Sequence, residues 1–396
     1  MRFGDWENGF INKINLKKKD RELISLFYKD VVGADEMANY FDGTVFEDNQ
    51  YDVCCLIAQM CSKHNYAGTP EQLIPKIKGL ARYLTSMNAF RVVELFKFIK
   101  ELNKADIPIM LTKGVAIRVG YYPKIIRYMA DTDVYVAGKN FNRTVKLARD
   151  YGCEGTLSFH SIELKKGPLA VDVHKVFVKE LLNGANPDGI WDRATKTDQK
   201  GVSFYIPSRE DMIVQILVTG FYNVLESSRD KEKKHIRWMI DLLPFLLDEA
   251  KIGWEKVARI AEQLEISDQI KVMIFALGDI LPQSINTETV IGYFRKSELS
   301  QKAIGLFDEL CKMISVQCER VDMNKSMREV ILYWAKNIWI KSLYFSGYGN
   351  IFRAVIKYPE FCMITLKIGD AKELPGELIR RINIRVRAKR GACPEF

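Results

Sequence analysis

The stretch LTKGVAIRVGYYPKIIRYMADTDVYV, Leu111 to Val136, decides how this chain is read. It begins at the end of a short apolar run, Ile107–Leu111, a candidate buried strand. Lys113-Gly114 stands where that strand turns into a short helix, Val115–Tyr122, closed by Pro123. Ile125–Ala130 then leads into a second strand, Asp131–Val136. Side chains alternate between the two faces of a strand. Asp131, Asp133 and Tyr135 therefore share one face, and Thr132, Val134 and Val136 point into the core. Two carboxylates side by side on a rigid strand repel one another unless a cation lies between them. An oxygen-rich site of that kind suits Mg2+ or Mn2+, particularly when substrate phosphates complete the coordination shell.

Downstream, Phe141, Val145, Ala148 and Tyr151 form one stripe of a helix, Phe141–Tyr151. Leu157–Leu164 and Leu169–Phe177 alternate on either side of Lys165-Lys166-Gly167-Pro168, the pattern of a β-hairpin. In LAVDVHKVF, Leu169, Val171 and Val173 alternate with Asp172 and His174. Asp172 thus leaves an otherwise apolar strand on its polar face and offers a third carboxylate. Two-metal phosphoryl transfer needs such a set, one ion holding the triphosphate and the other lowering the pKa of the attacking hydroxyl. His174 shares the face of Asp172; it is a candidate nucleotide or second-layer contact, or a satisfied structural histidine. Lys113 supplies positive charge for phosphate, and Gly114 permits close backbone approach at the start of a helix. Arg127, four residues before Asp131, is a second candidate phosphate clamp. Arg118 fits a solvated helix face better.

Outward from this core, the first hundred residues read as helices. The clearest is Asn88–Lys104, with Val92, Leu95, Phe96, Ile99 and Leu102 on one face and a stop at Asp106–Pro108. After Ser208, which with Asp211 resembles a capping box, the pattern returns to helix. Met212, Ile213, Ile216, Leu217 and Gly220 mark the buried face, and further helices are expected at Ile236–Leu247, Trp254–Leu264 and Val330–Phe345. Phe361–Ile368 is a candidate strand. The fold class is α+β: a small mixed sheet flanked by helical regions. The expected units are an N-terminal helical region at 1–104, an α/β core at 105–207, a helical domain at 208–345 and a mixed basic segment at 346–396.

With 47% hydrophobic and 28% charged residues, 12 Pro and 25 Gly, the composition is that of a globular protein. A chain of 396 residues is long for one core. The start, MRFGDWENGF, has no apolar run behind a basic segment, and Val330–Phe345 is interrupted by Lys336, Asn337 and Lys341. Neither a secretory signal nor a membrane span is expected, which places the protein in the cytoplasm. Eight scattered cysteines without a CxxC pair, and four histidines, argue against a zinc site and a disulfide framework. Net charge is +9, with basic clusters at Lys17–Lys19, Arg229–Arg237 and Arg380–Arg390. These suit a polyanion such as RNA, or equally solvated helix faces and a loose tail. There is no P-loop and no Gly-x-Ser-x-Gly.

Lys-Gly-x-Ala, a Tyr-Pro pair, Arg, Asp-x-Asp and a hairpin ending in Val-Asp-Val-His together resemble the uncharacterised nucleotidyltransferase family within the DNA polymerase β-like superfamily. The residues are Lys113, Gly114, Ala116, Tyr122, Pro123, Arg127, Asp131, Asp133, Asp172 and His174. HIRWMIDLLPFL, His235–Leu246, with Ile252-Gly253-Trp254, is similar to that family's helical region. The resemblance covers roughly residues 85 to 265. It implies catalytic, metal-binding Asp131, Asp133 and Asp172, and an NTP held by Lys113, Gly114, Arg127 and His174, with RNA, protein or a small molecule as acceptor. Lys113-Gly114 replaces the superfamily's Gly-Ser, Val115 the second Gly of a Lys-Gly-Gly variant, and ILVTGFYN lacks the family's usual histidine. A degenerate nucleotide sensor or scaffold and a non-catalytic basic nucleic-acid-binding protein are the competing readings.

Overall fold

The computed structural model describes residues 18–42, 51–157, 161–178, 189–226, 237–281 and 285–294. The expected helix Val330–Phe345, the strand Phe361–Ile368 and the basic clusters at 229–236 and 380–390 lie outside the described residues. Among the described residues, four helices precede the sheet: α1 (Lys18–Tyr28), α2 (Ala34–Phe41), α3 (Tyr51–Lys63) and α4 (Ile74–Lys104). Lys19, from the first basic cluster, donates to the carbonyls of Tyr40 (2.7 Å) and Asp42 (3.1 Å), so it caps the end of α2. Helix α4 begins at Ile74, not at Asn88 as periodicity indicates. Its first half has only Ile77 and Leu84 buried before Asn88, too sparse a stripe to register as amphipathic. Pro75 is tolerated there because the first turn of a helix leaves its N–H groups unbonded anyway.

The sheet is built from β1 (Met110–Leu111), a short helix α5 (Lys113–Ala116) that runs into a π-helical turn (Ile117–Tyr121), β2 (Thr132–Tyr135), α6 (Gly138–Asp150), β3 (Glu154–Leu157), β4 (Ser161–Lys166), β5 (Leu169–His174), α7 (Ile190–Arg193), β6 (Thr195–Gln199) and β7 (Val202–Ile206). Its order is β3-β4-β5-β2-β1-β7-β6. Strands β2 and β5 are parallel, as are β1 and β7; the other pairs are antiparallel. The fold is therefore α+β, with a mixed seven-stranded sheet.

The hairpin around Gly167-Pro168 forms as its sequence indicates, with Gly167 at φ +53° in the first position of a two-residue loop. A second hairpin, β6–β7, goes unread in the sequence. Thr195–Gln199 is almost wholly solvated and has no apolar face to betray a strand, whereas Val202, Phe204 and Ile206 are buried on alternate positions. Its loop, Lys200-Gly201, has both residues at positive φ (+53° and +73°), the combination that matches strand twist. Strand β1 is shorter than Ile107–Leu111 because Pro108 has no N–H to give a ladder.

Among the described residues, five α-helices follow the sheet: α8 (Arg209–Glu226), α9 (Arg237–Leu246), α10 (Trp254–Gln263), α11 (Ser267–Ile280) and α12 (Thr287–Gly292). Ser208 caps α8, accepting from the Asp211 N–H at 3.1 Å and donating to its carboxylate at 2.6 Å. Asp211 is also paired with Arg193 at 2.7 Å. All residues from Trp238 to Leu246 are buried. Among the described residues no helix is long and apolar enough to cross a membrane.

Candidate active site

Strands β2 and β5 run parallel in a register that sets Asp133 opposite Asp172 and Tyr135 opposite His174. Residues directly opposite in a sheet point to the same face. Alternation within each strand thus puts both carboxylates and the imidazole on one side, while Val134, Val171 and Val173 are fully buried on the other. His174 Nε2 lies 3.0 Å from Asp133 Oδ1 and 3.2 Å from Asp172 Oδ2. Lys113, entering from the end of β1, makes an ion pair with Asp133 Oδ1, and its Nζ is 3.4 Å from His174 Nε2. One oxygen of Asp133 therefore meets two cationic or donor groups.

Burial would raise the carboxyl pKa of Asp133, but the Lys113 ammonium and the His174 imidazole outweigh it and hold the group well below the usual carboxylate range. Asp172 behaves alike: burial raises it, but the hydrogen bond and charge of His174 outweigh that and the net direction is down. For His174, burial and Lys113 disfavour protonation, while the hydrogen bonds to Asp133 and Asp172 favour it and prevail. Asp131 stands at the exposed start of β2. Desolvation by the surrounding protein, then repulsion from Asp133, pushes its carboxyl up despite the opposing charge of Lys113.

Ligating atoms of Asp133, Asp172 and His174 lie within 4.8 Å of one another. Asp131 is outside this trio, so the set the geometry brings together is two carboxylates and a histidine. Asp172 Oδ1 is buried and has no hydrogen-bond partner. An unsatisfied buried carboxylate oxygen is costly, and a divalent cation is a partner that would satisfy it. Two carboxylates and an imidazole are a donor set that fits a divalent cation.

Arg127, expected from its position to clamp phosphate, has another partner. Its Nε and Nη2 grip the Asp241 carboxylate at 2.5 and 2.8 Å in a buried bidentate pair. Burial disfavours the charged guanidinium, yet Asp241 overrides this and raises its pKa further. The main-chain carbonyl of Arg127 accepts from Asn88 of α4. Gly114 lies against the same guanidinium: a Cβ there would sit 2.0 Å from Nη1. The missing side chain at residue 114 makes room for Arg127. Arg118 is not on a solvated face; it donates to the Ile125 carbonyl at 2.9 Å and spans the loop before β2.

Two participants pass unnoticed in the sequence. Asp241 is the lone carboxylate inside RWMIDLLPFL, and Gln215 a lone amide inside the buried run MIVQILV. A polar residue isolated among buried apolar ones needs a partner, and that is the signal each carried.

A mixed sheet thus carries two in-register carboxylates, with a lysine delivered to them from a strand-to-helix turn. Residues 51–279, well over half of the chain, match the family described as uncharacterised nucleotidyltransferase, and the protein belongs to that family. No curated protein matches the chain.

Proposed function

We propose that this protein moves a nucleotidyl group from an NTP to an acceptor hydroxyl, with Mg2+ or Mn2+ held by Asp133 and Asp172 and with Asp131 at the rim of the site. The observation that carries this reading is Asp172: its Oδ1 is buried and unpartnered beside Asp133, its neighbour in register. When bound, the cation would neutralise phosphate charge and make the acceptor hydroxyl more acidic. His174 holds the two carboxylates in a common orientation through its contacts at 3.0 and 3.2 Å. Lys113 supplies the fixed positive charge for the triphosphate, and Asp131 adds an exposed oxygen donor. In the transfer, the acceptor oxygen bonds to the α-phosphorus, the bond from that phosphorus to the pyrophosphate oxygen breaks, and the hydroxyl proton is lost to solvent. RNA, protein and small molecules all suit such a centre as acceptors, since the metal site does not specify the nucleophile.

One observation favours a degenerate nucleotide sensor or scaffold instead. Asp133 Oδ1 is already bonded to Lys113 and to His174, which compete with a metal for the same oxygen. Calorimetric titration of all four NTPs, with and without Mg2+ or Mn2+, combined with an assay of pyrophosphate release, separates the two. Metal-dependent binding and pyrophosphate release that Asp133→Asn and Asp172→Asn each remove support the transferase, and binding without release supports the sensor. A native chain that binds no NTP under any of these conditions overturns it.

A further inference from the structure

We propose that Gln215 is a positioning residue that sets where Lys113 reaches into the carboxylate site; this rests on the nucleotidyltransferase reading above. Lys113 has φ +48°, the left-handed region that a residue with a side chain adopts only when its surroundings impose it. Its backbone N–H donates to Gln215 Oε1 at 3.2 Å. The other end of the same amide, Nε2, donates to the carbonyl of Phe177 at 2.7 Å. Only one orientation of the amide serves both bonds, so Gln215 is locked from both ends.

These two contacts come from two different segments that border the site. Lys113 follows β1, and Phe177 comes three residues after His174, just beyond the end of β5. One side chain thus fixes the spacing between the turn that carries the ammonium and the strand that carries the imidazole. The two groups themselves are 3.4 Å apart, both at Asp133. Gln215 is well placed to act as such a gauge. It is 2% exposed, and its helix α8 is anchored by the Ser208–Asp211 cap and the Arg193–Asp211 pair. Its neighbours Met212, Ile213, Val214, Ile216 and Leu217 are buried and apolar. A leucine would serve packing alone, whereas an amide supplies both the acceptor for Lys113 and the donor for Phe177.

The test is calorimetric binding of NTPs with Mg2+ to the full chain and to Gln215→Leu, Gln215→Glu, Lys113→Ala and the double variant Gln215→Leu/Lys113→Ala. Gln215→Leu is expected to weaken NTP binding about 10-fold, the size usual for removing a supporting contact of a site. In the Lys113→Ala background the same change is expected to have no further effect. Gln215→Glu, which keeps an acceptor for the Lys113 N–H, is expected to recover part of the loss and provides the measurement if the leucine variant does not fold. Equal losses in both backgrounds, or no loss in either glutamine variant, would overturn the proposal.

Hydrogen exchange at the Lys113 amide separates this outcome from failure of the functional reading. If the native chain binds no NTP, the nucleotide role falls for Lys113 and Gln215 together. Faster exchange in Gln215→Leu then still establishes that Gln215 holds the turn, and unchanged exchange removes that as well.

Discussion

Gly114 and Arg127 are fitted to one another: a side chain at residue 114 would collide with the guanidinium, whose Nη1 lies 2.0 Å from where a Cβ would be. The glycine next to the site lysine is thus tied to a buried ion pair with α9. Through Asp241, the helical region after the sheet reaches the loop that leads into β2, and through Asn88 helix α4 holds that loop's backbone. The approach to Asp131 and Asp133 is therefore set by three elements that are far apart in sequence.

Substituting Gly114→Ala should displace the Arg127 guanidinium and destabilise the fold by about 1–3 kcal/mol, the usual range for overpacking. In an Arg127→Met background the penalty should shrink, since the colliding group is gone. Urea denaturation of the four proteins checks this, and an equal penalty in both backgrounds would contradict it.

Removing one partner of the Arg127–Asp241 pair leaves the other charge buried alone. Asp241→Leu alone should cost on the order of 3–5 kcal/mol, as should Arg127→Met alone. The paired change Arg127→Met/Asp241→Leu should cost much less, because no unpaired charge remains. A double-mutant cycle on thermal or chemical unfolding measures the coupling, and additive effects would show that the pair does not act as a unit.

Lys113→Met removes the ammonium from Asp133 Oδ1. Mg2+ alone should then bind more tightly, since one competitor for the oxygen is gone, and NTP should bind more weakly, since the phosphate loses a cation. Opposite signs in the two titrations are the expected outcome. A loss in both would assign Lys113 to holding the metal site together.

Asp172→Asn should abolish metal-dependent stabilisation by NTP. In the native chain, saturation at roughly 100 times Kd should raise stability by about 2.7 kcal/mol through mass action. The asparagine variant should melt near the native temperature without ligand and fail to respond to MgNTP. A full response in Asp172→Asn would exclude that carboxylate from the site.

Alternation within single strands determined much of the site. It put Asp133 on one face of its strand and Asp172 on the polar face of an otherwise apolar one, and the end of the first strand put Lys113 at a strand-to-helix turn. The hairpin at Gly167-Pro168 and the cap at Ser208 were likewise local patterns that stood in the structure. Strand β6 was not legible, because a solvated edge strand needs no apolar face, and the first half of α4 was not, because its buried residues are sparse.

What the tertiary structure alone decided was partnership. The register that sets Asp133 opposite Asp172 joins strands separated by a helix and a hairpin. It also gave His174 both carboxylates to bridge and left Asp131 at the rim. Arg127 found its partner 114 residues away in Asp241, and Lys113 found Gln215 at a separation of 102. Periodicity is a property of one segment and its neighbouring side chains, so it can be read along the chain. An arginine carries the same charge toward phosphate or carboxylate, and only packing decided that a buried aspartate would reach it.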